Sequence, residues 1–180
     1  KKPDIRKCGF VTYRSWVIVN FLLSTGIRQN SLINIKIKDL DFDNDMVYIN
    51  TTKNRKSLII PLNEDIVKIL HEYLKYRGGG SEDWLFCSIY GEKMTKGANY
   101  TALWDYSHSR GLDKTGVHRY RHTFAKKWVT MGGSIVTLQK ILGHSSLAIT
   151  EGYLNMLTTD LKKDMNEINI IRSLKQERMQ

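Results

Sequence analysis

Residues 114–150 read KTGVHRYRHTFAKKWVTMGGSIVTLQKILGHSSLAIT, with no Asp or Glu anywhere in the stretch. It holds Lys114, Arg119, Arg121, Lys126, Lys127 and Lys140, and three of the five His in the chain: His118, His122 and His144. Apolar spacing predicts helices over 118–131 and 134–142. Gly143 is placed to end the second, and Ser145 or Ser146 to cap another helix over 146–156. His118 and Arg121, three apart, share a helix face. A charge run is usually a solvated surface. An acid-free window that mixes Arg, His and Lys with Tyr and Trp also has the composition of an anion site.

Moving outward, dense apolar positions over 11–25 predict a buried helix that Gly26 stops. A short helix follows at 30–35. Three β-like pieces come next, at 37–42, 46–50 and 58–62. Asp43-Asn44-Asp45 and Lys53-Asn54-Arg55-Lys56 supply the turns of an antiparallel meander. Asn63-Glu64-Asp65 opens a helix with Ile66, Ile69, Leu70, Tyr73 and Leu74 on one face, ending before Gly78-Gly79-Gly80. Trp84 to Ser88 reads as extended, and 95–109 as a helix. The last segment, 158–175, is amphipathic, with Leu161, Met165, Ile168, Ile171 and Leu174. The fold class is α+β: mainly helical, with a small three-stranded antiparallel sheet.

Composition narrows the function classes. A chain of 180 residues suits one domain or two small ones and needs no disulfide or metal to fold. Cys8 and Cys87 form no CxxC pair, so a reducing, intracellular setting is the simpler reading. Lys and Arg number 28 against 18 acidic residues, a formal charge of +10. That balance favours a polyanionic partner, nucleic acid before membrane surface. His118, His122 and His144 do not make a zinc protease, because Arg119 stands where that pattern needs Glu. Asp41, Asp43 and Asp45 open like a calcium loop, but Met46 and Thr52 occupy the places of its Gly and Glu. Gly78-Gly79-Gly80 lacks the Lys and Ser/Thr of a phosphate loop. Ser134 to Asn155 could form a helix-turn-helix, which keeps a DNA-binding regulator as the non-enzyme alternative.

Four motifs, in order, carry a resemblance. TGIRQNSL holds Arg28, HRYRHTFA holds His118 and Arg121, LGHSS holds His144, and Tyr153 follows nine residues later. Together they resemble the tyrosine recombinases, the integrases of phages and transposons and their chromosome-resolving relatives. TTKNRKSLIIPL resembles that family's lysine-bearing hairpin and gives Lys53 the lysine role. The resemblance runs from about Val11 to Leu157. It departs at Tyr120, which takes a place the family usually fills with an apolar residue, and at Gly152, directly before Tyr153. A type IB topoisomerase uses similar residues, but the small size and LGHSS favour the recombinases.

The resemblance implies site-specific cleavage and rejoining of double-stranded DNA through a 3′-phosphotyrosine, with no metal, ATP or other cofactor. In-line attack builds charge on the non-bridging phosphate oxygens. The planar forks of Arg28 and Arg121 suit that charge, with His144 as a third donor. Each such preorganised donor can be worth roughly 3 kcal/mol in the transition state. Tyr153 would be the nucleophile. His118 would take and return its proton, and Lys53 would protonate the departing 5′-oxygen. The expected organisation is a catalytic domain over 1–157 and a tail over 158–180. The family's N-terminal core-binding domain is not expected in this chain. The resemblance further implies a tetramer on DNA, linked in part through the tail, and a cytoplasmic, nucleoid-associated protein of bacterial or phage origin.

Overall fold

The computed structural model describes residues 2–50 and 57–143. Among them are six α-helices and one three-stranded antiparallel sheet. Helix α1 (Phe10–Thr25) lies at the centre and packs against three others: α3 (Glu64–Arg77), α4 (Lys96–His108) and α5 (Val117–Thr130). It is buried on most sides, through Tyr13, Val17, Ile18, Phe21 and Leu22, which is why its sequence is apolar almost all round. One buried position is Arg14. Its Nη1 donates to the Cys87 carbonyl, and burial pulls its pKa below the usual arginine value.

The sheet runs β1 (Leu40–Asp41), β2 (Met46–Asn50), β3 (Ser57–Pro61), in that order. Val47 pairs with Ile60 and Ile49 with Leu58, so the buried side chains of Val47, Ile49 and Ile60 face the core. Ile59, on the alternate face, is exposed. Asp41 Oδ1 accepts from the backbone N–H of Asp43 at 3.1 Å and of Asn44 at 3.0 Å, which closes the first turn. The acidic run is therefore a polar turn.

Helix α3 follows the pattern its sequence announces. Asn63 caps it, accepting from Ile66 N at 3.0 Å, and Ile66, Leu70 and Tyr73 are buried. Thr95 caps α4, and Ser134 caps α6 (Ile135–Leu142). Helices α5 and α6 share a small second core of Phe124, Ala125, Leu138 and Leu142. No helix of the described residues is long and apolar enough to cross a membrane.

Three segments differ from the sequence reading by more than a one-residue shift at an end. The expected strand over 37–42 begins as a 3-10 turn, Ile37–Asp39, because the Asp39 carboxylate accepts the Lys36 N–H at 2.8 Å and tightens the chain there. The short helix is α2 (Gln29–Leu32), earlier and shorter than 30–35. Asn34 Nδ2 donates to Asn30 O at 2.5 Å, a local bond that competes with helix continuation. Trp84 to Ser88 forms no strand, only the isolated bridges Lys36–Trp84 and Cys87–Lys93. The Ser88 hydroxyl turns the chain by accepting from the N–H groups of Tyr90 and Glu92.

Gly26 shows how tightly α1 meets α5. Its φ is +60°, and a Cβ there would lie 2.4 Å from Phe124 Cδ1 and 3.0 Å from Leu142 Cδ2. Gly26→Ala combines backbone strain with overpacking, each worth about 1 kcal/mol or more. Urea denaturation should show a loss of about 2–4 kcal/mol. An unchanged midpoint would mean that the close approach does not constrain the fold.

Candidate active site

The site begins where α1 stops. Gly26 turns the chain in the left-handed conformation, Ile27 is buried, and Arg28 becomes the N-cap of α2. Arg28 is exposed, and its Nη2 donates to Gly143 O at 3.2 Å. Arg121 approaches the same place from α5. It is 7% exposed, with Nη1 donating to Gly26 O at 2.7 Å and Nη2 to Leu142 O at 2.8 Å.

Those two acceptors explain how a guanidinium can be buried here. Gly26 caps the C-terminus of α1, and Leu142 is the last residue of α6. Helix ends leave carbonyls unsatisfied and carry partial negative charge. Arg121 satisfies both ends and receives charge-assisted hydrogen bonds in return. His118 sits one turn earlier on α5, exposed. His122 is also exposed.

A third element reaches this point. A methyl placed on Gly143 would lie 3.5 Å from Arg28 Nη1 and 3.7 Å from Leu58 Cδ2. Leu58 stands at the start of β3, just after the 51–56 connection, and Gly143 directly precedes His144. Arg28, Arg121, the base of the β2–β3 connection and the end of α6 therefore meet. Lys53, His144 and Tyr153 lie outside the described residues, as do the expected 146–156 helix and the 158–180 tail.

The 114–143 stretch that carries Arg121 also presents cations to solvent. Lys114, Arg119, Lys126, Lys127 and Lys140 are all exposed. Ion pairs elsewhere join Lys2 to Glu72, Lys36 and Lys38 to Glu82, and Lys68 to Glu64. Sequence reading singled out Arg28, His118 and Arg121 but missed the hydroxyl cluster of Ser107, Thr115 and Tyr120 beside them. The only signal was a tyrosine at an apolar place.

A family model, the phage integrase family, matches residues 7–160. The chain belongs to that family. Among its relatives is tyrosine recombinase XerA of Saccharolobus solfataricus, 32% identical over 148 residues, covering 82% of this chain and 48% of the relative. The crystal structure of XerA recombinase superposes with a TM-score of 0.77 at 30% identity, covering 89% of this chain and 57% of that one. XerH site-specific recombinase, bound to difH substrate in a pre-cleavage complex, superposes with a TM-score of 0.70 at 25% identity. That match covers 82% of this chain and 45% of XerH. The chain thus spans about half the length of the relatives it matches. The mainly helical fold with a three-stranded antiparallel sheet is the one these phage integrase relatives share.

The two arginines should respond differently to mutation. A lysine at 121 has one ammonium and cannot replace a fork that spans two carbonyls. Arg121→Lys should lower stability in urea by about 1–3 kcal/mol, the cost of a buried acceptor left unpaired. Arg28→Ala, at an exposed position, should change stability by less than about 0.5 kcal/mol. Equal effects would show that Arg121 is not the pin between α1 and α6.

Proposed function

We propose that this chain is the catalytic domain of a site-specific DNA recombinase that cleaves and rejoins double-stranded DNA through a 3′-phosphotyrosine. The observation that carries the proposal is the meeting of Arg28 and Arg121 at the end of α6, in a chain of the phage integrase family. Two arginines from distant parts of the sequence, fixed against one backbone segment, make a preorganised receptor for a phosphodiester. XerH, a relative of the same fold, is a site-specific recombinase seen on its DNA substrate.

Each chemical role follows from residue type. Tyr153 Oη attacks the phosphorus, forms a P–O bond and expels the 5′-oxygen. His118 takes the tyrosine proton, and Lys53 gives one to the leaving oxygen. Arg28, Arg121 and His144 stabilise the charge on the non-bridging oxygens. In the reverse step a 5′-hydroxyl attacks the phosphotyrosine and releases Tyr153. Bond energy is held in the phosphotyrosine, so the cycle consumes no ATP. No Asp or Glu lies between residues 114 and 150, so that stretch brings no carboxylates to bind metal ions. The exposed cations of α5 and α6 would track DNA phosphates, so affinity should fall steeply with salt. The amphipathic tail would dock on a neighbouring protomer and help assemble a tetramer on DNA. The place of action would be the nucleoid.

The test uses the intact recombinase on a nicked suicide duplex of its own site, with EDTA present. The parent should form a covalent adduct that mass spectrometry maps to Tyr153. Tyr153→Phe should bind DNA as the parent does and form no adduct. Arg121→Ala should reduce cleavage more than Arg119→Ala, because Arg121 is buried at the site and Arg119 is exposed. Tight binding without any adduct would return the chain to the DNA-binding regulators.

A further inference from the structure

Helix α5 begins without a side-chain cap. Its N-cap is Gly116, with φ 137°, whereas Asn63, Thr95 and Ser134 cap α3, α4 and α6 through their side chains. The preceding segment also contains Gly111, at φ 75°. Glycines at positive φ leave this approach to the helix conformationally permissive. Yet the first turn carries His118, whose direction matters if it exchanges a proton with a tyrosine.

Three hydroxyls bond to one another beside this helix start. Tyr120 Oη lies 2.8 Å from Ser107 Oγ and 3.0 Å from Thr115 Oγ1, and Ser107 Oγ lies 2.8 Å from Thr115 Oγ1. Each oxygen can donate one proton and accept another, so the three close a ring in which the bonds reinforce one another. Ser107 belongs to the last turn of α4 and is 1% exposed. Thr115 directly precedes the uncapped Gly116, and Tyr120 stands two residues after His118. The ring therefore ties the end of α4, the entry to α5 and the body of α5 to one another. An apolar residue at 120, which the resemblance leads one to expect, would leave the Ser107–Thr115 contact as the one remaining bond of this hydroxyl ring.

We propose that Tyr120 is a positioning residue: its hydroxyl, through Ser107 and Thr115, fixes the first turn of α5 and so the direction of His118. The inference rests on the reading of His118 as the group that exchanges a proton with Tyr153. It adds a residue that would act through His118 and not on the reacting atoms.

Single-turnover cleavage of the suicide duplex by the intact recombinase tests it, alongside DNA affinity and thermal midpoint. Tyr120→Phe and Thr115→Val each delete one hydroxyl and keep the shape. Both should slow cleavage about tenfold, a modest misplacement penalty, with half-saturating DNA concentration unchanged. Thr115→Ser keeps the hydroxyl and should cleave as the parent does. The double variant should lose little more than either single one, because all three bonds form one unit. Parent-like cleavage by Tyr120→Phe and Thr115→Val overturns the proposal. So does a loss confined to affinity or stability, or an equal loss in Thr115→Ser and Thr115→Val. Should Tyr120→Phe fail to fold, the two Thr115 variants decide. Tyr153→Phe is run in parallel: an adduct from it would sink the assigned nucleophile, a different result from any difference among the hydroxyl variants.

Discussion

The Arg121 guanidinium, held between the carbonyls of Gly26 and Leu142, is the interaction on which the site depends. It joins the C-termini of two helices that the chain builds more than a hundred residues apart. A buried cation is ordinarily a liability, and leaving either carbonyl unpaired would be another. Put together, each removes the other's penalty. The result is a positive charge fixed in direction by the backbone, which a flexible surface lysine could not provide.

Packing supports that bond. Phe124, one turn beyond Arg121, lies so close to Gly26 that only glycine fits, and Leu142 closes the other side. The small core of Phe124, Ala125, Leu138 and Leu142 thus holds α5 and α6 against the end of α1. Arg28 reaches Gly143 two residues beyond the same turn. Stability and the proposed chemistry are therefore coupled here: side chains that bring the arginines together also complete the hydrophobic contact.

Much of this was legible in sequence because it is local. Gly26 and Gly143 announce helix ends, Asn63 announces a cap, and the three-residue spacing of His118 and Arg121 places them on one helix. The motifs TGIRQNSL and HRYRHTFA single out Arg28 and Arg121 through resemblance, and the structure brings these two side chains to the end of α6. What sequence could not show is what lies opposite. The acceptors of Arg121 are 95 and 21 residues away; the spacing of Val117, Phe124 and Ala125 puts position 121 on the buried face of α5, but nothing in that pattern names what a buried arginine bonds to. Arg14 is a similar case: an arginine on a helix reads as surface, yet a carbonyl from the α3–α4 connection receives it. The strand over 37–42 failed for a smaller reason. Alternation in a short segment does not reveal that Asp39 will bond back to Lys36.

On the proposed mechanism, Arg28 and Arg121 act on the charge of a phosphate. The most direct measurement replaces one non-bridging oxygen of the scissile phosphate by a methyl group, which makes that linkage neutral. Arg28 is the residue to vary, because it is exposed and its removal should leave the fold intact. On an ordinary phosphodiester, Arg28→Ala should be nearly inactive. On the neutral methylphosphonate it should regain cleavage by at least about tenfold relative to the parent enzyme, since the charge that Arg28 offsets is gone. If Arg28→Ala is equally deficient on both linkages, the arginine does not act on phosphate charge and the site is not a receptor built for it.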